Sequence, residues 1–484
     1  MNHSIDYLII VAYLIGVAIF GIVKGGKQKS SKDYFQSSES VQWWAVCFSI
    51  VAAETSTLTF ISIPGLAYLT NLNFLQVTFG YLLGRIVIAA FFLPSYFKGD
   101  LSTAYQYLEN RFGGKTRSFA SIVFIFTRLA ADGVRLFATA IPLKLMLDIS
   151  YPVAIIIIAI IALTYTYIGG VKGVIWVDVI QMIIYIGGAS VALGFLIFKF
   201  LPNGFDSIIA ISQADGKMEI FNWGFSGGFA NFFAQPYTLL AGVLGGAFLS
   251  MASHGTDQLI VQRLLTTKSL KSARKAIIGS GIIVIFQFAL FLLVGLGLYA
   301  FYSGANLSEI GIGKSDEIFP IFIIKQLPVG ITGIIIAGLF AAALSTLAGS
   351  ISSLSSSTML DLYKPFTHIN NEVKELKISR YFTIMWAVLL IGSAFFFMSS
   401  SQTVVELALS IASFTYGGLL GTFILGLVNK KATQEDALAG FTAGIFVMVT
   451  VIALKLVAWT WFTLIGVLVT VLIGSLLSKL SETK

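Results

Sequence analysis

Hydroxyl and carboxylate side chains set inside long apolar runs are the residues of this chain that could do chemistry. One run, Val51-Ala52-Ala53-Glu54-Thr55-Ser56-Thr57-Leu58-Thr59, places an acid and four hydroxyls in the middle of an apolar stretch. A second, Ala341-Ala342-Ala343-Leu344-Ser345-Thr346-Leu347-Ala348-Gly349-Ser350, carries two adjacent hydroxyls among small residues. Those two hydroxyls, the carbonyl of Ala342 one turn earlier and two carbonyls freed by a break in the first run would make a cage of five oxygens. Hard cations take oxygen ligands, and a cage without carboxylates suits a monovalent ion better than calcium, which recruits them. The competing readings are a continuous helix whose hydroxyls bond back to their own backbone and, for the second run, small residues that only let helices pack closely.

Arg128, Asp132 and Arg135 are spaced by four and three, so a helix puts all three on one face. A guanidinium can take a carboxylate through two parallel hydrogen bonds, which makes Arg135 a candidate for an anionic solute; the other reading is an internal ion cluster that locks the helix. Arg85, alone on its run, has Glu54, Asp132 and Glu406 as possible partners. Soluble chemistry finds no foothold. Gly311-Ile-Gly-Lys314-Ser315 has the end of a phosphate loop, but Ser308 stands where its first glycine should be. His3, His254 and His368 are too scattered for zinc, Cys47 is the single cysteine, and no Gly-x-Ser-x-Gly elbow occurs. No enzyme activity is expected.

The elements that must hold these residues are membrane helices. With 57% hydrophobic and 11% charged residues in 484, against about 25% charged in a soluble domain, the chain reads as an all-α polytopic membrane protein, a single membrane domain over 1–484. About 20 apolar residues cross a hydrocarbon core. Apolar runs ending in Gly, Pro or charge predict thirteen helices, near 5–23, 42–69, 74–97, 118–147, 151–169, 174–200, 237–264, 277–302, 328–360, 379–398, 402–428, 435–456 and 459–478. The start, Met1 to Asp6, lacks a basic stretch and a cleavage site, so the first run is expected to be a helix and not a removed leader. With the N-terminus outside and the C-terminus cytoplasmic, 22 of the 31 Lys and Arg fall inside, 6 outside and 3 within helices, which is the bias of cytoplasmic loops. That bias also accounts for the net charge of +8, so no nucleic-acid partner is expected. The outer connections 201–236 and 302–327 are expected to hold short helices. In this frame Glu54 and the Ser345–Thr346 pair fall at mid-membrane depth, where irregular backbone is tolerated only when it lines a buried or wet cavity.

Four segments go further: Tyr167-Ile-Gly169-Gly170-Val-Lys172-Gly-Val-Ile-Trp176-Val-Asp178-Val-Ile-Gln181, Gly255-Thr-Asp257-Gln258-Leu-Ile-Val-Gln262-Arg263, Ala342-Ala-Leu-Ser345-Thr346-Leu, and Asp361-Leu-Tyr363-Lys364. In this order they resemble the sodium:solute symporter family, and the resemblance covers nearly the whole chain. It implies two inverted five-helix repeats of the leucine-transporter type, at 42–200 and 237–428, with the first helix 5–23 before them and two helices at 435–478 after. It implies a sodium site of the Ala52, Thr55 and Ala342 carbonyls and the Ser345 and Thr346 hydroxyls, an ion path past Asp178, and Glu54 where proline-type members carry an acid. Members with a second sodium place hydroxyls where this chain has Ala348 and Gly349, so one sodium is expected. The side chains that hold a sugar look replaced by Thr59, Thr78, Ser250, Val284 and Leu409. Arg135 resembles the position at which a sialic-acid-type member binds a carboxylate, and Ser56 and Thr59 match hydroxyls of that pocket. Ser56, Thr59, Thr78, Arg135 and Ser250 are thus the candidate substrate-binding set. The function implied is sodium-coupled import of a small organic solute, a carboxylate first, by alternating access in the plasma (cytoplasmic) membrane, with sodium as coupling ion and no other cofactor. A proline-like amino acid or a sugar or polyol is the alternative solute; a membrane sensor and a channel are the rival classes.

Overall fold

The computed structural model describes residues 4–37, 40–99, 101–147, 149–225, 228–367, 369, 371–398 and 404–482. Among them the structure is helical, and the β pairing is an isolated bridge between Val41 and Thr267. In chain order the helices are α1 (Ser4–Gly25), α2 (Ser31–Gln36), α3 (Trp43–Glu54), α4 (Thr57–Leu69), α5 (Leu75–Val87), α6 (Leu93–Lys98), α7 (Ala104–Phe112), α8 (Gly114–Leu147), α9 (Tyr151–Phe195) and α10 (Phe205–Ala214). There follow α11 (Gly228–Ala234), α12 (Leu239–Gly255), α13 (Gln258–Leu265), α14 (Leu270–Phe301), α15 (Ile318–Gln326), α16 (Ile331–Ser357), α17 (Lys364–Thr367), α18 (Glu372–Phe397), α19 (Val404–Val428), α20 (Gln434–Ala453) and α21 (Phe462–Glu482). Among the described residues eight helical stretches are long and apolar enough to cross a membrane, or ten if each of two bent pairs is one span. The short α10, α11 and α15 fall in the two connections where outer helices were expected.

The first bent pair is the predicted one. α3 and α4 meet at 62° across the polar run, with Thr55 and Ser56 both in extended conformation. The second corrects the sequence reading. The single helix expected at 237–264 is α12 and α13, bent by 61°. Asp257 turns the chain there: its carboxylate accepts from the Leu259 N–H at 2.9 Å, a side-chain cap that starts a new helix. The stretch read as two helices, 151–169 and 174–200, is continuous in hydrogen bonding as α9 but is two helices in geometry, divided at Gly170, where φ 57° and ψ −164° are non-helical. Glycine adopts that left-handed conformation without penalty, and a Cβ there would come 2.8 Å from the Tyr34 carbonyl.

α16 is the axis of the packing. Its most apolar window is 89% buried, against 22% for α1, because its Ala, Gly and Ser residues allow backbones to approach closely. Its N-terminus is tied to α1: Asp6, fully buried, accepts from the Gly330 and Gly333 N–H groups at 2.7 and 2.9 Å, an acid at the positive end of a helix. Arg117 and Arg263, two of the 22 Lys and Arg counted on the inner side, are buried. Arg117 donates to Asp361 at 2.8 Å and to Glu109 at 2.5 Å.

Candidate functional site

The break between α3 and α4 frees backbone oxygen inside the bundle. The Val51 carbonyl accepts from the Thr55 N–H at 3.0 Å, while Ala52 and Ala53 belong to the last turn of α3, whose carbonyls have no intrahelical partner. Ala52 and Thr55 are fully buried. Thr55 Oγ1 accepts from Gln287 Nε2 at 2.6 Å. α3 packs against α16, where Thr346 Oγ1 donates to the Ala342 carbonyl at 3.1 Å and Ser345 Oγ to Asp178 Oδ1 at 2.6 Å. A hydroxyl has one hydrogen and two lone pairs. With their hydrogens committed to a carbonyl and a carboxylate, both hydroxyls present only lone pairs to a further partner, which is what a cation requires.

Asp178 is fully buried on α9 and gathers three elements. Besides Ser345 it accepts from Ser49 Oγ at 2.5 Å and from Arg263 Nη2 at 3.0 Å. Arg263, on α13, also donates to Ser49 Oγ at 2.8 Å and to the Leu259 carbonyl at 2.6 Å. A Cβ on Gly349 would come 2.6 Å from Arg263 Nη2, so the small residue at 349 makes room for the guanidinium. Glu54 is held elsewhere: of the two candidate acids whose side chains are described, it is the one that pairs with Arg85. Arg85 also meets His254 Nε2 at 3.0 Å and Ser280 Oγ at 2.9 Å. The side chains of Glu406 and Leu409 lie outside the described residues, as does His368.

A narrow cavity of about 10 Å³, room for about one water, lies between the break, α8 and α16, lined by Ser56, Thr57, Asp132, Arg135, Thr139 and Thr346 with three apolar side chains. Arg135 Nη1 donates to Asp132 Oδ1 at 3.0 Å, yet 26% of its side chain stays exposed. Arg128 turns away from the cavity to Asp257 at 2.6 Å, with Tyr416 OH on the same carboxylate at 2.9 Å. The structure thus brings Ser56, Arg135 and Thr346 together. It places Thr59 on α4 off this cavity. It places Thr78 and Ser250 between α5 and α12, with their hydroxyls on the Leu75 and Tyr81 carbonyls at 2.8 and 3.1 Å. Ser49, Asp257, Arg263, Gln287 and Thr139 join these networks without having been singled out for a role; Asp257 and Arg263 stood in one of the four quoted segments, and the other three carry no local signal.

A profile described as the sodium:solute symporter family matches residues 34–444. The sodium/sialic acid symporter NanT of Aliivibrio fischeri is 28% identical over 477 residues, 98% of this chain and 92% of its own length. The sodium/sialic acid symporter SiaT of Proteus mirabilis is 28% identical over 445 residues, 91% of this chain and 88% of its own. A solved structure of a Na+-coupled sialic acid symporter, substrate-bound and outward-open, superposes with a TM-score of 0.88 at 26% identity, covering 98% of this chain and 97% of that one.

Proposed function

The chain belongs to the sodium:solute symporter family, and from that premise we propose that this sodium-coupled symporter imports a small organic carboxylate, with sialic acid the first candidate. The observation that carries the reading is the shared cavity: Arg135 and Thr346 line one space, so the residue suited to an anion stands beside a residue suited to sodium. The ion is assigned to the Ala52, Thr55 and Ala342 carbonyls and the Ser345 and Thr346 hydroxyls. Asp178 guides it toward the cytoplasm, and Glu54 borders it through Thr55. The Arg263 guanidinium against Asp178 and Gly349 supports a single sodium, because a tethered cation already neutralises that carboxylate. Ser56 and Arg135 take the solute; Thr59, Thr78 and Ser250 belong to its site only if the cavity widens between α4, α5 and α12.

The multi-pass architecture is read as thirteen crossings, with α3–α4 and α12–α13 each one broken span. At about 1.5 Å per residue, the 45 residues of α9 are long enough for two, divided at Gly170. The two broken spans then open two inverted repeats, at 42–200 and 237–428, as interrupted helices do in transporters built this way. The N-terminus is assigned to the outside and the C-terminus to the cytoplasm, from the distribution of Lys and Arg.

Proteoliposomes test the function. An inward sodium gradient is expected to drive accumulation of labelled sialic acid above its outside concentration, and Arg135→Ala to abolish it, since hydrogen bonds to charged groups contribute about 1.5–3 kcal/mol each. Sodium-driven uptake of a neutral sugar that Arg135→Ala leaves intact would overturn the carboxylate assignment.

A further inference from the structure

Asp132 stands between the two proposed sites. It is nearly inaccessible to solvent and accepts from Arg135 Nη1 at 3.0 Å on one oxygen and from Ser350 Oγ at 2.5 Å on the other. Arg128 approaches it at only 3.4 Å, because its guanidinium is engaged by Asp257 at 2.6 Å. The same Ser350 hydroxyl reaches the Thr346 carbonyl at 2.9 Å, so its single hydrogen is shared between Asp132 and the backbone of a proposed sodium ligand. Asp132, Arg135 and Thr346 all line the one cavity.

We propose that Asp132 is the positioning residue through which the solute and sodium sites sense each other. With the solute site empty, Arg135 neutralises Asp132. An anionic solute draws the guanidinium to itself, and the Asp132 carboxylate then lacks its main cation. Its charge acts on α16 beside Thr346, where it favours sodium, and it pulls the Ser350 hydrogen off the Thr346 carbonyl. Solute binding therefore tightens sodium binding, and sodium tightens solute binding by the same factor.

The inference rests on the reading that Arg135 meets an anion, but its test uses sodium alone. In the full-length chain in detergent, the sodium concentration at half-maximal thermal stabilisation is measured without solute, with choline as the control cation. Arg135→Ala imitates the withdrawn guanidinium and is expected to lower that midpoint by about fivefold or more. In an Asp132→Asn background the Arg135→Ala effect should vanish, a coupling that a double-mutant cycle isolates. Ser350→Ala should shrink the effect and Ser350→Thr restore it, a rescue that a merely structural Asp132 would not give. A midpoint unmoved by Arg135→Ala overturns the proposal. So does a shift of equal size with Asp132→Asn, which would mean that Arg135 acts on the ion directly. Where Asp132→Asn does not fold, the Ser350 pair decides, and a shift untouched by Ser350→Ala counts against the proposal. Failure of sialic acid uptake in proteoliposomes would remove the carboxylate reading while this cycle still gives its own answer.

Discussion

Ser345 gives its one hydrogen to Asp178 and Thr346 gives its own to the Ala342 carbonyl, so each contributes lone pairs to the proposed ion site and each is expected to matter singly. Ser345→Ala or Thr346→Ala should raise the sodium concentration for half-maximal transport tenfold or more, about 1.4 kcal/mol; unchanged sodium dependence in both would place the ion elsewhere. Glu54 makes a different case. Its carboxylate is paired with Arg85, which is fully buried, and breaking such a pair costs about 3–5 kcal/mol because the remaining charge is stranded. Glu54→Gln and Arg85→Gln should therefore lower the unfolding temperature to a similar degree, and the exchanged pair should recover part of the loss. Loss of sodium affinity at unchanged stability would assign Glu54 to the ion instead. Single residues of this kind stand out in the sequence because a buried hydroxyl or charge needs a partner, even where bonding back to its own backbone competes. Their partners were not: Arg263 pairs with Asp178 85 residues away and Asp257 with Arg128 129 residues away, and no local spacing encodes such distances.

At the level of elements, both broken helices are marked by polar residues in a membrane run: five from Glu54 to Thr59, and Ser253, His254, Thr256, Asp257 and Gln258 around the second. Only the first was read as a break; what makes the second is one carboxylate that caps α13 while binding Arg128 and Tyr416, and those two partners are far away in the chain. Asp257 should accordingly be costlier to remove than an ordinary cap, which contributes about 1 kcal/mol, because Arg128 is left buried without its main counter-charge. Asp257→Ala is expected to cost several times the cap alone, about 3 kcal/mol or more, with Asp257→Asn recovering only the capping part. Thermal unfolding of the two variants in detergent separates the terms, and equal stability of Asp257→Asn and the parent chain would show that the ion pair contributes nothing. The Gly169–Gly170 pair was visible in the sequence as a helix boundary, and Gly170 does divide α9 into two helices, with Tyr34 and α1 packed against the joint.

For the whole molecule, the five arginines described above are matched by five acids, Asp6 and Glu109 standing outside the set: Arg85 with Glu54, Arg263 with Asp178, Arg117 with Asp361, and Arg128 and Arg135 with Asp132 and Asp257. Taken as a set, they sum to zero, so a bundle carrying them can rock without dragging net charge through the transmembrane field. One elementary charge moved across that field is worth about 2.3 kcal/mol per 100 mV, and a loaded carrier holding one sodium and one monovalent carboxylate adds none. Membrane voltage should then have no grip on the cycle. Uptake into proteoliposomes is expected to proceed at the same rate whether a potassium diffusion potential is imposed or collapsed, and a rate that climbs with inside-negative voltage would reveal a second sodium in transit. The same balance sets a thermodynamic ceiling: with one sodium per solute, a tenfold sodium gradient, about 1.4 kcal/mol, can concentrate the solute about tenfold and no further.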